Sequence, residues 1–108
     1  MSWELTARSK PCPTCGHYES DCCWNSTNNV DGMMKEAGCR IYDLKGLSTD
    51  DALIKLNQVV TAMLADPARF RNLEAGNGWG TYDQLLPILL RIKEFLSKNP
   101  GGTVDVRW

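Results

Sequence analysis

The two ends of the chain alternate apolar and polar residues, whereas the middle spaces its apolar residues as helices do. Near the start, Trp3, Leu5 and Ala7 alternate with polar neighbours, and the late stretch TVDVRW does the same. Alternation with period two is typical of half-buried strands. Because isolated strand edges would be a liability in a chain of 108 residues, we expect the first and last strands to pair.

Apolar spacing between these ends predicts two short helices and a first long helix. One short helix follows Asn29, with Thr27, Asn28 or Asn29 as N-cap, and ends at Gly38. A long helix runs from about Thr49 to Ala65 behind an N-cap serine, and PARFRNLE forms the second short helix with a proline at its start. Their apolar faces are expected to include Leu53, Leu56, Val60, Met63, Leu64, Phe70 and Leu73.

A broad apolar stripe from Tyr82 to Leu96 predicts the second long helix, which we expect to be the core helix. Pro87 lies inside this pattern, where it forfeits the hydrogen bond to the Asp83 carbonyl. The helix therefore either kinks at Pro87 or has its regular part beginning near Leu86.

Together these elements predict an α+β fold: a small antiparallel sheet from the N- and C-terminal strands packed against two main helices and two short helices. The length is that of a single domain, residues 1–108, with a Cys-rich knuckle at residues 11–23. YESDCCW, after the knuckle, is either a short second strand or irregular chain.

Composition excludes several classes of protein. Twelve basic residues against thirteen acidic ones give a net charge of -1, which argues against general DNA or RNA binding. No apolar run approaches the roughly 18 residues of a membrane span, and no signal peptide is visible, so we expect a cytoplasmic protein. Five cysteines, four of them within residues 12–23, favour thiols or a metal in a reducing compartment over a disulfide framework.

The knuckle CPTCG is the more specific of two local motifs. Cys12 and Cys15, spaced C-x-x-C around a tight turn, can present two thiolates to one structural zinc. The candidates for the other ligands are His17, Cys22, Cys23 and Cys39, and the set that we predict is Cys12, Cys15, Cys22 and Cys23. On a strand, however, the adjacent Cys22 and Cys23 would face opposite ways. Reduced cysteines packed as small hydrophobes and a redox pair are the alternatives.

Catalysis is the minority interpretation. His17 is the only histidine, and it lies on the knuckle without an obvious carboxylate to orient it. The sequence has no phosphate-binding loop and none of the common metalloprotease or hydrolase motifs. We therefore expect a non-enzymatic protein, with a thiol-dependent enzyme using Cys12 or Cys15 as the alternative.

The second motif combines NSTNN with NGWG. The polar residues Asn25, Thr27 and Asn29 precede a helix and are suited either to capping it or to holding an anionic ligand. Flanking glycines let the backbone aim Trp79 in directions that a helix or strand does not offer. Aimed outward, the indole is a stacking surface for a base; aimed inward, it fills space between helices.

Two arginines precede NGWG in the sequence. Arg69 and Arg71 can hold a phosphate beside an aromatic ring, although each can equally belong to a solvated face. The predicted ligand-binding residues are Asn25, Thr27, Asn29, Arg69, Arg71, Asn77, Gly78, Trp79, Gly80 and Tyr82.

Three stretches (residues 25–38, 66–86 and 99–106) together resemble a widespread family of small phage and prophage proteins of unknown function. Those proteins read N-x-T-x-N, a methionine helix ending in A-G, D-P-x-x-F/Y, N-G-W-G-x-Y, and N-P before a terminal strand. The matching residues are Asn25, Thr27, Asn29, Met33, Ala37, Gly38, Asp66, Pro67, Phe70, Asn77, Gly78, Trp79, Gly80, Tyr82, Asn99 and Pro100. Some members carry an N-terminal cysteine knuckle, but adjacent cysteines such as those at 22 and 23 are not part of the pattern.

The resemblance implies phage origin, and small phage proteins without catalytic machinery often act by binding a host component. By analogy with sponge proteins, we expect a phage accessory protein that binds or sequesters a small nucleotide-like anionic ligand in defence evasion. The alternative is a zinc-stapled protein–protein interaction module that engages a host or phage protein through exposed Trp24, Trp79 or Trp108. A domain of this size makes only a shallow pocket alone, which favours a homo-oligomer.

Overall fold

A three-stranded antiparallel sheet forms one layer of the molecule, and helices cover one of its faces. The computed structural model describes residues 2–18, 20–74, 78 and 80–108. The strands are β1 (Ser2–Arg8), β2 (Asp21–Thr27) and β3 (Thr103–Arg107), in the order β2-β1-β3. The predicted α+β class and the pairing of the first and last strands are both confirmed.

In the described part of the chain, the helical layer contains two long helices and two short ones, as predicted. Their bounds are Asp31–Glu36 for α1, Thr49–Ala65 for α2, Pro67–Arg71 for α3 and Tyr82–Lys98 for α4, with 3₁₀ turns at Asn28–Val30 and Ile41–Leu44. The predicted limits of α2 are confirmed, and its N-cap Ser48 accepts a hydrogen bond from the Asp51 N–H at 3.1 Å. Within the described ranges, none of these helices has the length and apolarity that crossing a membrane requires.

The second strand is longer than the sequence indicates. The antiparallel ladder between β1 and β2 continues to the pair Ser2 and Thr27, so the stretch NSTNN begins inside the strand. The helix α1 starts only at Asp31, and its N-cap is Val30, which has no side chain that can cap. The N-cap position of α1 is therefore Val30 and not the predicted Thr27, Asn28 or Asn29.

The core lies between the sheet and the two long helices. One face of β1 contributes Trp3, Leu5 and Ala7, all almost fully buried, to the same core cluster as the buried residues of α4 and α2. Leu64 and Leu73, expected to be buried, are 54% and 41% exposed. The buried face of α2 is turned instead towards Ala52, Leu56, Val59, Val60 and Met63.

The helix α4 begins at Tyr82 and includes Pro87, so the alternative of a start near Leu86 is wrong. Its N-terminus is well capped. The Thr81 hydroxyl accepts from the Gln84 N–H at 3.2 Å, and the Gln84 side chain accepts from the Thr81 N–H at 3.1 Å. This capping box supports the first turn, which precedes the proline.

A single buried hydrogen bond joins the start of α4 to the end of α2. The Tyr82 hydroxyl donates to the Met63 carbonyl at 2.8 Å. Four residues after Met63 the chain has Pro67, which lacks the N–H that would bond this carbonyl in a continuous helix. The tyrosine therefore satisfies a buried acceptor that the break between α2 and α3 leaves without its helical partner.

Candidate functional site

The structure brings the two polar motifs of the sequence into direct contact. A Cβ on Gly80 would lie 2.7 Å from Cγ2 of Thr27, 2.9 Å from Cγ1 of Val30 and 3.2 Å from Cβ of Asn29. Gly80 has φ +74°, a left-handed conformation that glycine adopts at little cost. The end of β2 and the chain entering α4 therefore share one surface, which we call the Thr27–Gly80 surface.

The three predicted site residues of NSTNN lie in two different places. The Thr27 hydroxyl accepts a hydrogen bond from the Asn29 N–H at 3.3 Å, which orders the turn after β2. Asn25 lies opposite Glu4, on the sheet face away from the helices. It lines a separate shallow hollow of about 420 Å³, whose other lining residues are Ser2, Trp3, Glu4, Arg107 and Trp108. Thr27 and Asn29 thus belong to the Thr27–Gly80 surface, and Asn25 lies beside it on the strand.

Backbone donors at the start of α4 already have partners within the chain. The Gln84 side-chain oxygen accepts from the Gly80 N–H at 2.8 Å, and a Glu74 carboxylate oxygen accepts from the Tyr82 N–H at 2.7 Å. A carboxylate of the protein itself therefore occupies the position at which a helix N-terminus would attract an anion.

Both predicted arginines are exposed and in ion pairs, and Arg71 contacts the start of α4. Arg71 donates to Asp83 at 2.8 Å, and its guanidinium lies 4.8 Å from the centre of the Tyr82 ring. Arg69 pairs with Glu36, and the hydrogen bond that the arginine donates to this carboxylate raises the pKa of Arg69. Tyr82 is buried and supplies a ring face to Arg71. The pairing of either arginine with the ring of Trp79 stays a prediction.

Two central members of the predicted site, Asn77 and Trp79, fall outside the described residues. Gly78 is exposed with φ +77°, and no atom that the structure describes outside its chain neighbours lies within 4 Å of where its Cβ would stand. Gly78 and Gly80 therefore share a conformation but differ in their surroundings.

The cysteine knuckle is a tight hairpin tip that continues the direction of β1 and β2. Pro11 pairs with Tyr18, the Cys12 N–H donates to the His17 carbonyl at 2.8 Å, and the Gly16 N–H donates to the Cys12 carbonyl at 2.8 Å. Hydrogen bonds from the N–H groups of Cys15 and Thr14 to the Cys12 sulfur lower the pKa of that thiol. The tip therefore holds one thiol in an environment that favours the thiolate.

The other three cysteines lie elsewhere. Cys22 is opposite Ala7 and Cys23 opposite Thr6, so the adjacent thiols point to opposite faces of the sheet, as expected for a strand. Cys39 is buried, its thiol donates to the Arg40 carbonyl at 3.3 Å, and burial raises its pKa. Among the described residues, no three histidine, cysteine or acidic side chains gather as a metal site. The predicted four-cysteine set is not brought together there.

A groove that the sequence did not indicate lies between β2 and α4. Trp24 and Phe95 meet edge to face there, with ring centres 5.7 Å apart. The groove has a volume of about 300 Å³, and its lining residues are Cys22, Trp24, Arg91, Glu94, Phe95, Lys98 and Asn99. The sequence shows an aromatic residue on each of the two elements, Trp24 and Phe95. It does not show that the two elements are neighbours, because that depends on the tertiary fold.

The chemistry available on the Thr27–Gly80 surface is hydrogen bonding and charge pairing. Thr27 and Asn29 offer short polar side chains, and Arg71 offers a planar cation beside a ring. Comparison of the chain with protein-family models, with curated proteins and with solved structures gave no match.

Proposed function

We propose that this chain is a non-enzymatic phage accessory protein that sequesters a small, nucleotide-like anionic ligand on the Thr27–Gly80 surface. The observation that carries the proposal is the close approach of Gly80 to Thr27 and Asn29. Two motifs that are distant in the sequence converge there, and ligand sites commonly form where loops meet on a rigid scaffold. The proposal places the protein in the cytoplasm of the host cell.

Arg71 is the proposed phosphate contact. Its present partner Asp83 has a side chain that is 74% exposed, and the arginine side chain is itself 50% exposed. An exposed ion pair of this kind contributes only about 0–1 kcal/mol. A ligand phosphate can therefore replace the Asp83 carboxylate at small cost, while the Tyr82 ring keeps the guanidinium in place.

Arg69 is the second candidate cation, and its exchange follows the same reasoning. The side chains of Arg69 and Glu36 are about half exposed, so this ion pair also contributes little to stability. Trp79 is the proposed stacking surface by residue type, because an indole is the side chain best suited to cover a base. Asn25 and Asn77 are proposed as peripheral polar contacts.

Isothermal titration with a panel of cyclic di- and trinucleotides tests the proposal. We expect heat of binding with at least one member, and a loss of roughly tenfold or more in affinity for Arg71→Ala and Trp79→Ala. Arg91→Ala is the matched control, because Arg91 is an exposed arginine in the groove beside Phe95. Absence of heat across the panel, or equal losses in Arg91→Ala and Arg71→Ala, would show the proposal to be wrong.

One observation favours a second candidate function, that of a protein-binding module. Trp108 is 63% exposed and is held edge-on against Tyr42, with ring centres 4.6 Å apart. An exposed, positioned tryptophan is a typical anchor in protein interfaces. This function predicts a stoichiometric protein partner from host lysate that is lost in Trp108→Ala and retained in Trp79→Ala.

A further inference from the structure

The cysteine knuckle has the geometry of a metal half-site at an accessible tip. Cys12 and Cys15 lie within one tight turn that is closed by the hydrogen bond between Gly16 and Cys12 and by the pairing of Pro11 with Tyr18. Gly16 takes φ +72°, which lets the chain reverse directly after the second cysteine. The side chain of Cys15 is exposed, and that of Cys12 is half-buried.

Backbone hydrogen bonds hold the two cysteines on one turn. The Cys12 N–H donates to the His17 carbonyl at 2.8 Å, and the Gly16 N–H donates to the Cys12 carbonyl at 2.8 Å. Two sulfurs held close together at a C-x-x-C turn are half of a tetrahedral zinc site.

The chain's other thiols are too distant to complete this site. Sulfurs on one zinc lie less than about 5 Å apart, since each Zn–S bond is about 2.3 Å. Cys22 pairs with Ala7 and Cys23 with Thr6, and these partners precede the Pro11–Tyr18 bridge by at least four residues, or about 13 Å of extended chain. Cys39 is buried in the core. None of the three reaches the tip.

We propose that the knuckle is one half of a zinc site that a second copy of this chain completes, with Cys12 and Cys15 from each copy binding one Zn²⁺. Two exposed tips can meet end to end, because each projects beyond the β1–β2 ladder. Four thiolates and one zinc ion carry a net charge of two minus. Arg8 stands at the base of each knuckle with its guanidinium 5.2 Å from the centre of the Tyr18 ring, so the two copies supply two compensating positive charges.

Native mass spectrometry and metal analysis of the full chain test this site. The protein is reduced, loaded with Zn²⁺ alone and freed of excess metal. We expect a dimer carrying one zinc ion per two chains, and a monomer after treatment with a chelator. Cys12→Ser and Cys15→Ser should each abolish both the zinc and the dimer, while circular dichroism shows the fold intact, because the knuckle lies outside the core.

The matched controls are Cys22→Ser and Cys23→Ser, which alter exposed cysteines on β2 and should leave both the metal content and the dimer unchanged. Zinc loss in either control would show that Cys22 or Cys23 is a ligand. That result would contradict a site formed by Cys12 and Cys15 of two copies. The proposal is equally overturned by one zinc per monomeric chain, by a dimer that survives chelation, by a reduced chain that takes up no zinc, or by a stable Cys12–Cys15 disulfide that excludes metal.

Discussion

Gly80 is the residue on which the contact between the two motifs depends, and its replacement gives the sharpest test at the residue scale. Gly80→Ala places a methyl group 2.7 Å from Cγ2 of Thr27 while requiring φ +74° of an L-residue. The backbone conformation costs about 1–2 kcal/mol, and overpacking adds about 1–3 kcal/mol. We expect urea denaturation to show a loss of about 2–5 kcal/mol in the free energy of unfolding.

Gly78→Ala is the matched control for this substitution. Gly78 has nearly the same φ, +77°, but among the described residues outside its chain neighbours nothing lies within 4 Å of where its Cβ would stand. It should lose only the conformational part, about 1–2 kcal/mol. Equal losses in the two variants would mean that Gly80 does not pack against β2 as described.

The sequence predicted that the glycines around position 79 have a conformational role, but it did not distinguish them. Both take positive φ, and only Gly80 is in contact with the end of β2. That difference arises from a tertiary contact with Thr27, which lies far away in the sequence. Local sequence patterns indicate which backbone conformations a residue can adopt. They do not indicate which distant segment of the chain that residue contacts.

Among the elements, α4 is destabilised by Pro87. Proline at the sixth position of a helix cannot bond to the carbonyl four residues earlier, that of Asp83, and its ring crowds that carbonyl. Pro87 is exposed, so no core packing offsets this cost. We expect Pro87→Ala to raise the free energy of unfolding by about 1–3 kcal/mol, measured by urea denaturation.

Pro67→Ala serves as the comparison for that change. Pro67 is at the first position of α3, where a proline forfeits no helical bond and its fixed φ suits the helix start. The same substitution should therefore be neutral or slightly destabilising there. A loss of stability in Pro87→Ala would indicate that Pro87 makes a stabilising contact.

Helix and strand limits were predictable where local chemistry sets them. The bounds of α2 followed from the Ser48 cap and the acids after it, because both act within one turn. The start of α1 did not follow, because pairing with β1 extends β2 to Thr27 and displaces the expected cap. Ladder hydrogen bonds with a distant strand overrode the local signal.

For the molecule as a whole, the sequence predicted the layers but only part of the site. Alternation at both ends was enough to predict that β1 pairs with β3, since a small domain gains by pairing its edges. The sequence did not settle whether the chain after the knuckle is a strand. The directions of the Cys22 and Cys23 side chains therefore stayed open. Strand pairing decides that, because neighbouring side chains on β2 face opposite ways.

Thr49 links three parts of the molecule: the start of α2, the end of α4 and the approach to β3. Its side chain is fully buried, and its hydroxyl donates to the Asn99 carbonyl at 2.6 Å while accepting from the Gly102 N–H at 3.1 Å. Thr49→Val keeps the shape and the β-branch but removes both bonds. Since the Asn99 carbonyl and the Gly102 N–H lose their bonds to the Thr49 hydroxyl, we expect a loss of about 1–3 kcal/mol in the free energy of unfolding.

Thr61→Val isolates the effect of the hydroxyl bonds, because Thr61 is an exposed residue on the same helix. It should change the free energy of unfolding by less than about 0.5 kcal/mol. Hydrogen exchange adds a spatial test. In Thr49→Val, protection should fall at the backbone amides of Gly102 and Val104 together, since β3 enters the sheet directly after the lost bond. Unchanged exchange at both amides would show that β3 is held in the sheet independently of Thr49.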